Sequence, residues 1–293
     1  MDPVRWEDRP ELARPVLIAA FEGWNDAADA ASSACRFLAT AWQARRFATL
    51  DPEEFYDFTE VRPRITLEDG ITRKVQWPTN ELQWAHVEGA GRDAVFLHGI
   101  EPQLRWRTFS EAITEVAAGF GCDLVITLGS LVSSVPHTRE VPITGTAADP
   151  ALAARLGLQR SQYEGPTGIV GILHDACKRA GIESASLWAA VPHYIAQTPS
   201  PKASLALVER AASLIGATVD AEELRAASRV YVDEVNALVA ENEEALEYVR
   251  SLERSADEEA EEVGVGEGTP LEFKGGDALA AEAERFLRDQ RGE

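Results

Sequence analysis

Short, continuous apolar runs separated by helical segments constrain the fold of this chain more than any other feature. Four such runs occupy residues 16–21, 94–97, 124–128 and 186–191. A run that is apolar at nearly every position suits a strand covered on both faces, and strands that alternate with helices form parallel βαβ units. Right-handed crossovers place those helices on both faces of the sheet. The sequence therefore predicts an α/β fold with a mostly parallel central sheet.

Two segments depart from this pattern. Glu68, Asp69 and Gly70 separate two alternating segments, which predicts an antiparallel β-hairpin inserted within residues 61–87. Beyond Pro201 the pattern is helical, and from about Asp220 one apolar position recurs every seven residues. The residues of this seam are Leu224, Tyr231, Leu238, Ala245 and Leu252, with Val235, Asn242 and Val249 at the intervening positions. Two interpretations of this heptad pattern remain open: a long helix packed on its own domain, or a seam for self-association.

These patterns divide the chain into four parts. Residues 1–217 form the predicted α/β core domain, and residues 218–257 form one long C-terminal helix. Residues 258–276 are acidic and contain glycine, with little to bury, so a flexible linker is predicted. Residues 277–293 are predicted to form a short terminal helix and tail.

The charge of the chain limits its partners. The net charge is −21, and the segment from Glu241 onward contributes 17 acidic and 6 basic residues. Such a field repels phosphate backbones, so nucleic acid is not expected as a partner. The three cysteines fit a reducing compartment, and neither a signal peptide nor a membrane-spanning segment is apparent. We therefore expect a cytoplasmic protein that does not bind membranes.

Polar segments follow the predicted strands and should converge at one edge of the sheet. The candidate ligand-binding or partner-binding residues are Trp24, Asn25, Asp26, His98, Glu101, Arg105, Ser130, His137, Thr138, Arg139 and His193. Trp24 offers a stacking surface, and Arg105 and Arg139 offer cations for an anion. Simpler interpretations remain open, since Asn25 can cap a helix, His98 can be a satisfied polar group and Arg139 can pair within its loop.

The sequence does not match the motifs of several common enzyme classes. Residues 129–133 lack the second glycine of a nucleophile elbow, and no Walker loop or dinucleotide fingerprint is present. The five histidines are not spaced as zinc ligands, so no metal, cofactor or catalytic residue is predicted. Residues 164–168 open a helix, with Thr167 as its expected cap, whose free N–H groups offer a weak phosphate site.

Several motifs, taken in order, carry a resemblance to a known family. They are residues 23–29 (GWNDAAD), 99–102 (GIEP), 129–146, 165–169 (GPTGI), 192–194 (PHY) and 197–201 (QTPSP). This set resembles the proteasome assembly chaperone 2 type family in its actinobacterial branch, over about residues 12–250. The resemblance implies a phosphorylase/hydrolase-like α/β fold and a homo-oligomer. A trimer is expected, because related folds often assemble as trimers or their multiples.

Two functions follow as hypotheses. The first is a non-enzymatic assembly chaperone or scaffold protein with a protein partner. Relatives in eukaryotes and archaea assist proteasome assembly in part through a C-terminal hydrophobic-tyrosine-any tail. Residues 289–293 (DQRGE) differ from that tail, so docking by that route is not expected. The alternative is a nucleoside-phosphorylase-like enzyme or a nucleoside- or phosphate-binding protein, in which Arg139 and the turn at Gly129 and Ser130 hold phosphate while a tryptophan stacks on the base.

Overall fold

The elements follow the predicted alternation of strands and helices in a computed structural model that describes residues 3–160 and 164–263. The strands are β1 (Val4–Trp6), β2 (Val16–Glu22), β3 (Arg45–Leu50), β4 (Arg64–Glu68), β5 (Thr72–Gln76), β6 (Asn80–Val87), β7 (Arg92–Ile100), β8 (Leu124–Ser133), β9 (Ile143–Ala147), β10 (Gln159–Arg160) and β11 (Glu183–Pro192). The helices are α1 (Ala30–Ala41), α2 (Pro52–Phe55), α3 (Trp106–Gly119), α4 (Pro150–Leu156), α5 (Ile169–Ala180), α6 (Pro201–Leu214), α7 (Glu222–Ala240) and α8 (Glu243–Val263). Short 3-10 turns cover Ala27–Asp29 and His193–Ile195.

Within the described residues, the main sheet has nine strands in the order β1-β3-β6-β7-β2-β8-β11-β9-β10. The four predicted apolar runs lie in β2, β7, β8 and β11, which are mutually parallel neighbours at its centre. Antiparallel pairing adds β6, β3 and β1 on one side and β9 on the other, so the complete sheet is mixed. The predicted hairpin forms β4 and β5 as a separate two-stranded sheet. The predicted α/β fold class is confirmed.

Helices cover both faces of the sheet. Val16, Ile18 and Ala20 of β2 belong to the apolar core shared with α1 and α6. Leu17, Ala19 and Phe21 alternate with them and belong to the core shared with α3 and α5. Successive side chains of a strand point to opposite faces, so two covered faces require an apolar residue at every position. This requirement explains the unbroken run that the sequence shows.

The third polar segment is shorter than the sequence suggests. β8 continues to Ser133, and Ile143–Ala147 forms β9, which pairs antiparallel with β11. Alternating polar and small residues in β9 hide this strand from a search for apolar runs. The segment between β8 and β9, residues 134–142, is called the third loop below.

The prediction of one long C-terminal helix is wrong. The segment forms α7 and α8, because Asn242 Oδ1 accepts hydrogen bonds from the N–H groups of Glu244 and Ala245 and so begins a new helix. Leu238, predicted in the seam, is exposed, whereas Tyr231, Val235 and Val239 are buried within the chain.

The same C-terminal helices bear on two other predictions. α8 extends to Val263, so residues 258–263 of the predicted linker are helical. The rest of that linker and the terminal helix of residues 277–293 lie outside the described residues. None of the helices in the described ranges combines the length and the apolar composition that a bilayer crossing requires.

Candidate functional site

The ends of the central strands separate the candidate residues into two groups. Those after β2 and β7 and near the end of β8 form an inner cluster of Asn25, Asp26, Glu101 and Ser130, with Trp24 and His98 beside it. Those of the third loop, with His193 after β11, contact the C-terminal helices instead. Arg105 belongs to neither group, because it forms an ion pair with Glu54. The candidate residues, which were expected to converge at one edge of the sheet, are therefore divided between separate groups.

Asp26 caps the start of α1. Its Oδ1 accepts hydrogen bonds from the N–H groups of Ala31, at 2.7 Å, and Ser32, at 3.1 Å. Asn25, expected to be the cap, does not take this role, since the 3-10 turn shifts the start of α1 by several residues. Burial is the main reason that the pKa of Asp26 is raised above its usual value.

The loop that carries Asp26 is held in a strained conformation. Ala28 and Asp29 have φ values of 54° and 51°, in the left-handed region that costs about 1–2 kcal/mol for a residue with a side chain. Ser130 offsets this strain. Its N–H donates to the carbonyl oxygen of Asn25, and its hydroxyl donates to that of Ala27, both at 2.9 Å. β8 therefore fixes the position of the loop after β2.

Glu101 occupies the N-terminus of α5. Its Oε1 accepts hydrogen bonds from the N–H of Ile169, at 2.8 Å, and from Nδ2 of Asn25, at 3.1 Å. Thr167, expected to be the cap, instead directs its hydroxyl to the carbonyl oxygen of Gly168. The positive end of the helix dipole, which the sequence offered to a phosphate, thus holds a carboxylate of the same chain.

Gly168 provides the room for this arrangement. A Cβ atom at that position would lie 2.6 Å from Nδ2 of Asn25 and 2.7 Å from Oε1 of Glu101. Both distances are shorter than van der Waals contact, so a side chain would separate the pair. This close approach gives a physical reason for the second glycine of the GPTGI motif.

Replacing Glu101 with alanine is expected to lower the free energy of unfolding by about 1–2 kcal/mol, because α5 loses its charged cap and Asn25 loses its partner. Glu101→Gln keeps an acceptor oxygen and should cost less. Urea unfolding followed by circular dichroism measures both, with the exposed Glu115→Ala in α3 as the control. Equal stability of Glu101→Ala and the control would contradict the capping role.

Trp24 and His98 flank the inner cluster differently. Trp24 is 66% exposed, whereas Asn25, Asp26 and Ser130 of the inner cluster are buried. His98 lies on β7 near the Arg36–Glu22 ion pair, and burial lowers its pKa. Within the described ranges, no three histidine, cysteine or acidic side chains form a group that would hold a metal ion.

His137 anchors the third loop. Its backbone N–H donates to the hydroxyl of Tyr194 at 2.9 Å, and its ring lies 2.8 Å from the same hydroxyl and 3.1 Å from Oδ1 of Asn236 in α7. A neutral ring with its proton on Nε2 satisfies these contacts, since it accepts from Tyr194 and donates to Asn236. Burial accordingly lowers the pKa of His137.

Lys202 and Arg139 tie the same loop to two further helices. Lys202, near the start of α6, donates from Nζ to the carbonyl oxygens of His137 and Arg139. The guanidinium of Arg139 forms a bidentate pair with Asp257 at 2.7 and 2.8 Å and also contacts Glu253, to which Thr138 donates. The sequence left open that Arg139 pairs with Glu140 within its loop. In the structure Arg139 pairs with residues of α8 instead.

Around His193 the contacts are aromatic. Its ring packs edge-on against Tyr194 and Tyr248 at 5.5 and 5.6 Å between centroids. The third loop and His193 therefore hold the C-terminal helices in place. The sequence analysis did not identify Glu253 and Asp257 as functional residues. They are four residues apart, and two acids at this spacing lie on one helix face, which was the sequence signal for a site that pairs with a cation.

Arg139→Ala is expected to loosen α8 while leaving the fold intact, because exposed ion pairs contribute little to global stability. Amide hydrogen exchange of residues 250–260 should become faster, whereas β2 and β8 should keep their protection. Arg250→Ala, an exposed arginine on the same helix, serves as the control. Unchanged exchange in α8 would mean that the Asp257 pair does not hold the helix.

Several proteins of known structure are similar to this chain. A PAC2 family protein from Streptomyces avermitilis is 47% identical, covering 80% of this chain and 99% of its own, with a TM-score of 0.75. A proteasome-assembly chaperone homologue from Mycobacterium tuberculosis is 43% identical with the same coverage and a TM-score of 0.73. An archaeal proteasome activator from Pyrococcus furiosus is 16% identical, covers 81% of this chain and 99% of its own, and has a TM-score of 0.66, which shows a shared fold.

The sequence comparisons agree with the structural ones. None of the curated proteins compared with the chain matches it. The sequence model of the PAC2 family matches residues 20–239, which include the main sheet from the end of β2 onward, the third loop and most of α7. The relatives from Streptomyces and Mycobacterium share the actinobacterial origin that the motifs indicated. The chain belongs to the PAC2 family.

Proposed function

We propose that this protein is a non-enzymatic assembly chaperone or scaffold that acts on proteasome subunits. One observation carries the proposal: side chains of the protein itself occupy the sites that the sequence offered to an anion. Glu101 occupies the N-terminus of α5, and Arg139 is paired with Asp257 and Glu253. The name of the Mycobacterium relative, a proteasome-assembly chaperone homologue, supports the choice of partner.

The proposal includes self-association and location. We expect a homo-oligomer, with a trimer as its form, and native mass spectrometry of the purified protein measures this directly. The cytoplasm is the proposed location, because Cys35, Cys122 and Cys177 are buried free thiols, as is usual in a reducing compartment.

The proposal is tested by mixing the purified protein with purified actinobacterial proteasome α and β subunits. Native mass spectrometry should detect a complex with a defined stoichiometry, and native gels should show that complete particles form faster. An unrelated protein of similar negative charge controls for nonspecific attraction. Absence of a complex, together with an unchanged assembly rate, would refute the proposal.

The alternative, a nucleoside- or phosphate-binding protein or enzyme, needs cations and space at the third loop. Arg105 and Arg139 are both paired with carboxylates, and a cavity beside His137 has room for about one water molecule. A ligand at 100 times its dissociation constant raises stability by about 2.7 kcal/mol. Thermal-shift measurements with nucleosides and phosphate should therefore show no stabilisation, and a clear shift would favour the alternative.

A further inference from the structure

The hairpin β4–β5 presents an apolar face to solvent. Ile65 pairs with Val75 and Leu67 pairs with Arg73, and residues paired across an antiparallel ladder point to the same side. Trp77, two residues beyond Val75, continues that side and packs against Phe58. The apolar side chains of this face are between 48% and 61% exposed. The opposite side carries Arg64, Thr66, Glu68, Thr72, Lys74 and Gln76, so the hairpin is amphipathic.

Such a hairpin needs something to cover it. A two-stranded sheet is marginally stable in water unless its apolar face is packed. Five of the nine large hydrophobic side chains that are exposed among the described residues belong to this one hairpin, including Ile71 at its turn. The concentration of apolar surface on an otherwise highly charged chain marks an interaction surface.

The hairpin also differs in charge from the rest of the chain. Residues 62–77 carry four basic and two acidic side chains, a net charge of +2, whereas the whole chain has a net charge of −21. On the apolar face itself the charged residue is Arg73. A partner for this face should therefore combine exposed apolar side chains with carboxylates.

The exposed face of α7 has that composition. Val230, Glu234, Ala237, Leu238 and Glu241 follow the spacing of one helix face and are all exposed. Val230 and Leu238 are 56% and 57% exposed, and Asp233 lies beside Glu234. This face combines apolar side chains and acids, complementary to the apolar side chains and Arg73 of the hairpin.

We infer that the apolar face of β4–β5 in one copy docks on the exposed face of α7 in a second copy. This inference rests on the proposed self-association and gives it a geometry. Because two different surfaces meet, the contact can repeat head-to-tail from copy to copy, and such contacts close into a ring when the rotation between copies allows it. A trimer is one such ring.

Two single variants test the contact. Leu67→Asp places a carboxylate on the hairpin face, and Val230→Asp places one on the α7 face. Each variant should convert the oligomer to a monomer, which light scattering coupled to gel filtration measures. Both positions are exposed, so circular dichroism should match the wild type, whereas the thermal midpoint should fall to that of the dissociated subunit because subunit binding stabilises the folded state. Gln76→Asp, on the other side of the hairpin, and Leu104→Asp, an exposed leucine outside both surfaces, should remain oligomeric.

Mixing the two monomeric variants tests whether the hairpin of one copy meets α7 of another copy. The Val230→Asp copy keeps an intact hairpin and the Leu67→Asp copy keeps an intact α7 face, so an equimolar mixture should form a heterodimer. A mixture that stays monomeric, or an oligomer unaffected by either variant, would overturn the inference. A wild-type protein that is monomeric at all concentrations would refute the proposed self-association as well. If Leu67→Asp instead loses binding to proteasome subunits while the oligomer stays intact, the hairpin is assigned to that partner. That result overturns this inference but not the proposed self-association.

Discussion

Gly99→Ala should lower the free energy of unfolding by about 3 kcal/mol, the upper end of the range for overpacked sites. Gly99 lies near the end of β7, where its Cβ would approach Cα of Asn80 to 2.7 Å and the carbonyl oxygen of Thr79 more closely still. These are backbone atoms of the first residue of the paired strand β6 and of the residue before it, so the clash cannot be relieved by rotating a side chain. The strands would have to separate.

The same substitution should also disturb the inner cluster. Asn80 is fully buried and donates from Nδ2 to the carbonyl oxygen of Ile100 at 3.1 Å and to the hydroxyl of Tyr56. These bonds fix the backbone immediately before Glu101. A shift of β6 against β7 would therefore move the carboxylate that caps α5.

Urea unfolding measures the effect, and Gly119→Ala is the matched control. Gly119 ends α3, and a Cβ there meets no atom of the described part of the chain within 4 Å. Alanine is favoured over glycine in a helix, so this control should be neutral or more stable by up to about 1 kcal/mol. A Gly99→Ala protein as stable as the wild type would show that β6 and β7 are not packed as described.

Asp26→Ala is expected to destabilise the protein by about 2 kcal/mol. The carboxylate accepts two N–H groups at the start of α1, and both would lose their partner in a buried environment. Urea unfolding measures this effect as well. Asp29→Asn is the control, because Asp29 belongs to the same turn, its side chain forms no capping hydrogen bond, and asparagine tolerates the left-handed conformation at this position.

Asp26→Asn tests the protonation state of this group. A pKa raised in the folded state means that protonation of Asp26 stabilises the fold, fully at pH values below the unfolded pKa of about 4. This stabilisation is lost as the pH rises through the folded pKa. Asparagine resembles the protonated acid at every pH, so the stability of Asp26→Asn relative to wild type should increase as the pH is raised from 4 to 7. A difference that is constant with pH would mean that burial does not raise the pKa.

The central sheet could be predicted because its signal is local. Each strand that is covered on both faces needs an apolar side chain at every position, and β2 shows this without interruption. β9 could not be predicted in the same way. Its five residues include Thr144, Gly145 and Thr146, and it is a strand only because β11 provides a hydrogen-bonding edge.

The candidate site could likewise be predicted only where the sequence signal is local. The rule that loops converge after parallel strands correctly brought Asn25, Glu101 and Ser130 together. The surroundings of Arg139 were not predictable, because its partner Asp257 is 118 residues away along the chain and on a helix whose start depends on Asn242. A capping residue in the middle of a heptad pattern was the signal that one helix would become two.

The position of β2 affects how the chain reaches its fold during synthesis. β2 is formed by residues near the N-terminus, but it lies at the centre of the sheet between β7 and β8. Val16 pairs with Ala94 and Leu124, roughly 80 and 110 residues later in the chain. A ribosome must therefore release more than a hundred residues before this apolar strand has both neighbours. Until then, this fully apolar strand of the nascent protein has two open edges, where aggregation competes with folding.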